Sequence, residues 1–370
     1  MTFHFYKLQI INKMNRLFVI HTPYQLICAA NIIKTSNDCR NTLLLVQPKL
    51  KQYLELCKKL DNTRTIYENK LCIQYSEKGK FIAHVSMVKE ILCRKTLIKK
   101  CEYLSFNYDE LFVPSDDIIC RLVFHILCRR STPSLYLFDD GTGTYDAHTF
   151  KGVSWLGKIV FYCLIDNKFI NSISRIYCYM PSMMAQVPKT ISIHKVKNLP
   201  EVSFLFEEFA QSKSAVYKGR KVLFFDQGLS GHPSIQKCLD IINREFPQNE
   251  IIVKIHPRIQ GSEYPGFNIS NEGLPFEAIM PSFNLDESLF IAHSSGACFT
   301  AYLMSDKKPF IVLLAKLTNT SDQYTPAIHF LRRLQENIPD NRIYLPNSIE
   351  EFQNIINTFK NRLIIKKQVQ

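Results

Sequence analysis

Residues 16–46, RLFVIHTPYQLICAANIIKTSNDCRNTLLLV, decide the fold class. Arg16–Ile20 is a short β-branched and aromatic run that reads as a strand. His21-Thr-Pro-Tyr24 breaks it. Gln25–Ile33 carries apolar residues at helical spacing, and Thr42–Val46 is a second strand. Strand, loop, helix and strand in that order open a parallel α/β unit. Met14 leads directly into the first strand and would serve as a start as well as Met1 does.

The same alternation continues outward. A helix is expected over Lys49–Lys59, a strand at Glu110–Val113, a helix at Asp117–Cys128 and a strand at Ser134–Phe138. Residues 150–215 are less regular, with an apolar run at Val153–Ile165. A new α/β unit begins near Gly219. Its expected elements are a strand at Lys221–Phe225, a helix at Ser234–Arg244 and a strand at Glu250–Ile255. Ser288–Ala292 (strand), Ala297–Met304 (helix), Pro309–Leu314 (strand) and a terminal helix at Ile349–Phe359 follow. The boundary between the halves is expected around residues 205–220. This assigns 1–210 to an N-terminal domain and 211–345 to a C-terminal one, with 346–370 as a helix and basic tail.

Composition excludes several classes. With 370 residues and 46% hydrophobics, the chain is neither disordered nor too small to bury a core. Twelve glycines and no internal period argue against collagen-like and solenoid architectures. The 12 cysteines are scattered without Cys-x-x-Cys, and no secretory leader or spanning apolar run is seen, so a cytoplasmic chain with reduced thiols is expected. A net charge of +13 suggests an acidic partner. No nucleic-acid motif is present. The basic clusters Arg94, Lys95, Lys99, Lys100 and Lys360, Arg362, Lys366, Lys367 read either as a peripheral patch for an anionic membrane surface or as solvated helix faces.

In parallel α/β sheets ligands bind beyond the carboxyl ends of the strands, so polar residues after strand signals are the candidates. Asp139-Asp140-Gly141-Thr142-Gly143 offers two carboxylates and turn glycines, suited to a general base or merely to capping. It lacks Asp-x-Asp and a nearby His at ligand spacing, so no metal is expected there. Lys254-Ile255-His256-Pro257-Arg258 places a His between bases at a strand end, suited to a phosphate or to an ordinary turn. His293-Ser294-Ser295-Gly296 opens a helix and can hold an anion or simply cap it. Glu277, after Gly273-Leu-Pro-Phe, can take ribose hydroxyls or favour a helix dipole. A P-loop, a dinucleotide fingerprint and a nucleophile elbow are all missing from the sequence.

Taken in order, Asp-Asp-Gly, His-Pro, Pro-Phe-Glu and Ser-Ser resemble the bacterial sialyltransferases. The segments FVIHTPYQLICAANII, FDDGTGTY, KIHPR and SSGACFTAYLMSDKKPFIVLL resemble glycosyltransferase family 52, the lipooligosaccharide sialyltransferases, over roughly residues 15–315. The resemblance implies an α/β GT-B-type fold of two Rossmann-like domains facing a central cleft, with 1–210 on the acceptor side and 211–345 binding the nucleotide-sugar. It also implies an inverting, metal-independent enzyme with CMP-sialic acid as donor substrate and no cofactor. By matching positions, His256 is the acid or phosphate contact, and Ser294, Ser295 and Gly296 hold the donor phosphate with Lys254, Pro257 and Arg258. Glu277 takes the ribose. Asp140, with Asp139, Gly141 and Thr142 as its motif, and Asp226 in Phe225-Asp226-Gln227-Gly228 are rival bases for the acceptor.

The acceptor is expected to be a galactose-type sugar on a surface glycolipid or oligosaccharide, at the inner face of the cell membrane, and a homodimer is compatible. A transferase using CDP-glycerol, CMP-Kdo or a UDP-sugar is the competing enzyme reading, with a nucleotide-sugar epimerase behind it. A non-catalytic, membrane-associated nucleotide-binding protein is the competing non-enzyme reading.

Overall fold

The computed structural model describes residues 13–36, 38–68, 102–145, 168–184, 187–256, 264–270, 273–318, 325–338 and 342–369. The run Val153–Ile165, the cluster Arg94–Lys100, Pro257 and Arg258 lie outside them. The chain divides into two compact units. The first comprises residues 1–138, 152–176 and 190–192, and the second 139–151, 177–189 and 193–370. The second unit therefore takes in three segments that the sequence reading assigned to the N-terminal domain. One of them carries Asp139 to Thr144.

In the first unit, β1 (Met14–Ile20), α1 (Pro23–Lys34), β2 (Cys39–Leu45), α2 (Leu54–Cys57), β3 (Thr63–Tyr67), β4 (Glu110–Val113), α3 (Ile118–Leu127) and β5 (Ser134–Phe138) follow one another. α4 (Lys168–Ser172), β6 (Ile173–Cys178), whose last two residues are counted with the second unit, and β7 (Ser192–Lys195), of which only Ser192 is counted with the first, complete the sheet, in the order β3-β2-β1-β4-β5-β6-β7. β1 pairs in parallel with both β2 and β4. Leu17 to Ile20 are fully buried, as expected of a central strand covered on both faces. The break at His21-Thr-Pro-Tyr24 is a helix start. Thr22 caps α1, its Oγ1 accepting from the Gln25 amide at 3.2 Å while Gln25 Oε1 accepts from the Thr22 amide at 3.1 Å. Pro23 begins the helix, where a missing N–H costs nothing. Arg16 Nε donates to Glu110 Oε2 at 2.6 Å across the β1–β4 pair, and Phe18 stacks on Phe112 with centroids 4.3 Å apart.

The second unit holds α5 (Pro200–Ser214), β8 (Val222–Phe225), α6 (Pro233–Glu245), β9 (Ile251–Lys254), β10 (Ile269–Ser270), α7 (Phe276–Ile279), β11 (Leu289–Ala292), α8 (Ala297–Met304), β12 (Phe310–Leu313), α9 (Thr325–Asn337), β13 (Ile343–Tyr344) and α10 (Ile349–Val369). The parallel sheet runs β10-β9-β8-β11-β12-β13. Its order reverses between β8 and β11, which are paired in register from Val222–Leu289 to Phe225–Ala292. That reversal is where an open α/β sheet leaves room for a ligand at its carboxyl edge. Val222, Phe224, Ile291, Val312, Ile242 and Phe352 pack α6 and α10 against one face. No helix among the described residues is long and apolar enough to cross a membrane. The described cysteines are free thiols, all buried except the half-buried Cys128.

Candidate functional site

Two loops of the second unit are built alike. After β5 the chain reads Asp139-Asp140-Gly141, and after β8 it reads Asp226-Gln227-Gly228. In each, the Asp Oδ1 accepts from the amide of the glycine two residues on, at 2.8 Å in both cases. Both glycines take a positive φ, +87° at Gly141 and +75° at Gly228, which a side chain disfavours. In each, a buried tyrosine donates its hydroxyl to the carboxylate. Tyr145 donates to Asp139 Oδ2, and Tyr264 to Asp226 Oδ1 at 2.5 Å. Burial, reinforced by the neighbouring carboxylate, drives the Tyr145 pKa well up. Tyr264 is also driven up, by burial and by its bond to Asp226.

The first carboxylate of each loop is therefore a buried anchor. Asp139 is 0% exposed and also accepts from the Tyr179 amide at 3.1 Å; Asp226 is 1% exposed. Asp226 Oδ2 is buried and meets no hydrogen-bond donor among the described residues. The second position of each loop projects instead. Asp140 is half-buried, its amide held by Thr144 Oγ1 at 2.6 Å. Gln227 occupies the matching place and clamps Ser294. Its Oε1 accepts from the Ser294 amide at 2.6 Å, and its Nε2 donates to Ser294 Oγ at 3.3 Å.

Thr142 joins the two motifs. A Cβ added at Gly296 would stand 3.4 Å from Thr142 Oγ1 and 3.5 Å from its Cγ2, so the Asp-Asp-Gly loop rests on the glycine that caps α8. α9 fixes this loop from behind. Arg333 donates to the carbonyl oxygens of Tyr145 and, at 3.1 Å, Met183. Phe330 packs on both Tyr145 and Phe299, with centroids 5.5 and 5.1 Å away. Neither Arg333, Phe330 nor the clamp of Gln227 was among the residues singled out from sequence.

At the start of α8 the donors are partly used. The Ser294 amide is occupied by Gln227, while Ser295 Oγ accepts from the Ala297 amide at 3.3 Å. The amides of Ser295 and Gly296 carry no hydrogen bond among the described residues and remain as donors for an anion. His293 is buried, with Nε2 2.7 Å from Thr318 Oγ1. That hydroxyl donates to the Ala315 carbonyl at 3.0 Å, so it accepts from His293 and fixes the tautomer with the proton on Nε2. Burial, and then the charge of His232, lower the His293 pKa to about 4. Its Nδ1, 3.4 Å from Ser294 Oγ, is left as an acceptor.

Lys254 ends β9, buried beside β8, and His256 follows it, half-buried. Glu277 lies in the first turn of α7 and accepts from Thr300 Oγ1 at 2.9 Å. Burial raises its pKa, partly offset by hydrogen bonding and by the charge of Lys254. The sheet order thus brings the ends of β9, β8 and β11 side by side, with Lys254, Asp226 and Ser294 along one edge. Thr142 adds the loop of Asp140 to that edge. The arrangement offers a half-buried carboxylate, an imidazole, a lysine and two helix-start amides around the reversal point of one sheet. That set is suited to an anionic leaving group and a nearby proton acceptor.

A profile of the alpha-2,8-polysialyltransferase family matches residues 16–313. No curated protein matches the chain in sequence. Among solved structures it is similar to the glycotransferase of kitacinnamycin, at 8% identity and a TM-score of 0.55, over 94% of this chain and 90% of that one. It is similar too to the calicheamicin glycosyltransferase, at 11% identity and a TM-score of 0.52, over 94% and 90%. The fold is that of the GT-B glycosyltransferases, as the sequence reading implied. The matched family is a sialyltransferase family, which agrees with the sialyltransferase resemblance read from the sequence.

Proposed function

This chain belongs to the alpha-2,8-polysialyltransferase family, and from that premise we propose that it transfers sialic acid from CMP-sialic acid to a hydroxyl of a sialyl-terminated acceptor, inverting the anomeric centre. Asp140 takes the acceptor proton. The acceptor oxygen bonds to the anomeric carbon while the bond to the CMP phosphate oxygen breaks. His256 donates a proton or hydrogen bond to the departing phosphate. Lys254, with Arg258 four positions on in sequence, neutralises its charge. The Ser295 and Gly296 amides and the Ser294 and Ser295 hydroxyls receive its oxygens, and Glu277 accepts from the ribose. None of these steps uses a metal.

The observation that supports this most is the seating of Thr142 on Gly296. It brings the loop that carries the half-buried Asp140 against the glycine of a helix start whose Ser295 and Gly296 amides are unused among the described residues. Between the rival bases it favours Asp140, since both Asp226 oxygens are buried and Oδ1 already serves a glycine amide and a tyrosine. Preorganised donors at the leaving group are commonly the largest single catalytic contribution. A donor panel tests the reading: CMP-sialic acid, CMP-Kdo, CDP-glycerol and UDP-sugars, each with and without a sialylated acceptor. Acceptor-dependent consumption of CMP-sialic acid alone is expected. Preference for CDP-glycerol or a UDP-sugar would replace the donor, and turnover without acceptor would favour an epimerase.

A further inference from the structure

The first unit carries its own cluster at the equivalent place in its sheet. The strand order there reverses between β1 and β4. His21 directly follows β1, and Asp117 and Cys120 lie at the start of α3, which follows β4. His21 Nε2, Asp117 Oδ2 and Cys120 Sγ converge on one point. Their separations are 3.3 Å from Nε2 to Oδ2, 3.6 Å from Nε2 to Sγ and 3.3 Å from Sγ to Oδ2.

These are the edges of a coordination tetrahedron. With Zn–S about 2.3 Å and Zn–N and Zn–O about 2.0–2.2 Å, tetrahedral angles give edges of about 3.3–3.4 Å for N–O and about 3.5–3.6 Å for the two involving sulfur. The three separations agree with these to within about 0.3 Å. As a hydrogen bond the His21–Asp117 contact is long, because a charge-assisted N–H to carboxylate bond is about 2.7–2.9 Å. The carboxylate is oriented by its own partners. Oδ1 accepts from the amides of Ile119 at 2.8 Å and Cys120 at 3.0 Å, and Oδ2 from Ser115 Oγ at 2.7 Å. Such outer contacts are what fixes a ligating oxygen in place. Cys120 is fully buried, whereas the Asp117 side chain is 35% exposed and leaves a path from solvent.

The geometry points to a three-ligand Zn²⁺ site formed by His21, Asp117 and Cys120, with a fourth position open to water or to an oxygen of a ligand. Three protein ligands and one open position distinguish a reactive or ligand-binding zinc site from a closed structural one. The site belongs to the first unit, and no step of the transfer proposed above passes through it.

Metal binding to the whole chain tests this without any turnover. Chelator-stripped protein is titrated with Zn²⁺, and with Co²⁺ as a spectroscopic probe, while far-UV circular dichroism follows folding. Wild type should bind one ion per chain, and Co²⁺ should give a thiolate charge-transfer band. Cys120→Ser should lose that band and weaken Zn²⁺ at least about tenfold, the lower end of what even outer-shell changes cause. Asp117→Asn keeps a good helix cap while replacing the anionic ligand, so it should fold and also bind more weakly. Cys128→Ser, at the C-cap of the same helix, should bind as wild type does. Absence of micromolar binding by folded wild type would overturn the site. So would a Cys120→Ser protein that keeps both the band and the affinity.

Discussion

Replacing the two rival carboxylates should have opposite effects on stability and turnover. Asp226→Ala leaves the buried Tyr264 hydroxyl and the Gly228 amide without their acceptor. An unsatisfied buried donor costs about 1–3 kcal/mol, while the amide of the exposed Gly228 can turn to water, so the change should cost about 1–3 kcal/mol. For a unit of this size that is a fall in Tm of roughly 2–12 °C. Asp226→Asn keeps an acceptor at Oδ1 and should recover most of that loss and most of the turnover. Asp140→Asn, at a half-buried loop position, should change stability by no more than about 0.5 kcal/mol. As the proposed base, its loss should lower kcat by about 10²–10⁴-fold. Urea or thermal unfolding gives the first quantity, and CMP release with saturating acceptor gives the second. A stable Asp226→Asn protein that is inactive, beside an Asp140→Asn protein that turns over normally, would refute the assignment. It would move the base to β8.

Three further outcomes follow from packing and charge. His293 has a pKa near 4 when folded against about 6.5 when unfolded. The unfolded chain therefore binds more protons between these values. Stability is full above about pH 6.5, falls as pH drops through that window, and by pH 4 has lost about 3 kcal/mol from this residue. Unfolding of wild type and His293→Gln at stepped pH should differ in that slope, and parallel slopes would contradict the burial argument. Glu110→Ala strands Arg16 in the first unit's core and leaves Tyr136 Oη without its acceptor, which should cost about 3–5 kcal/mol in denaturant unfolding. Gln227→Ala releases Ser294 without touching the proposed base. It should raise the KM for donor severalfold more than it lowers kcat, and an unchanged KM would remove Gln227 as a positioning residue.

How far the sequence carries the account depends on what kind of contact each residue makes. The opening stretch was legible because Leu17 to Ile20 are apolar without interruption and Thr22-Pro23-Tyr24-Gln25 is a local capping pattern. β4, β5 and α8 likewise fell where the hydrophobic runs put them. β6 and β7 were missed because Ile173–Cys178 mixes buried with exposed positions and Ser192–Lys195 is exposed throughout, so neither carries a continuous apolar run. α9 was missed for a related reason. Its apolar face is interrupted by Arg332 and Arg333, and its partners are distant in the chain, with Arg333 reaching Tyr145 188 positions away. Asp140 and Asp226 could not be separated from sequence. Both sit after a strand and near a glycine, and only the positions of Tyr145 and Tyr264 reveal which carboxylate is an anchor. Division of the N-terminal stretch between units was equally hidden, because Thr142 on Gly296 is a tertiary contact with no local signature.

The central claim is sialyl transfer by the second unit's edge to a sialylated acceptor, and stoichiometry tests it most directly. The full chain, CMP-sialic acid and a short sialyl-terminated oligosaccharide are incubated together, and CMP and oligosaccharide masses are followed in one reaction. The account predicts one CMP released for each sialyl residue added, α2,8-linked product, and loss of both signals by about 10²-fold or more in His256→Ala with folding intact. CMP binding without a mass increase, or a His256→Ala protein that elongates the acceptor at the wild-type rate, would contradict it.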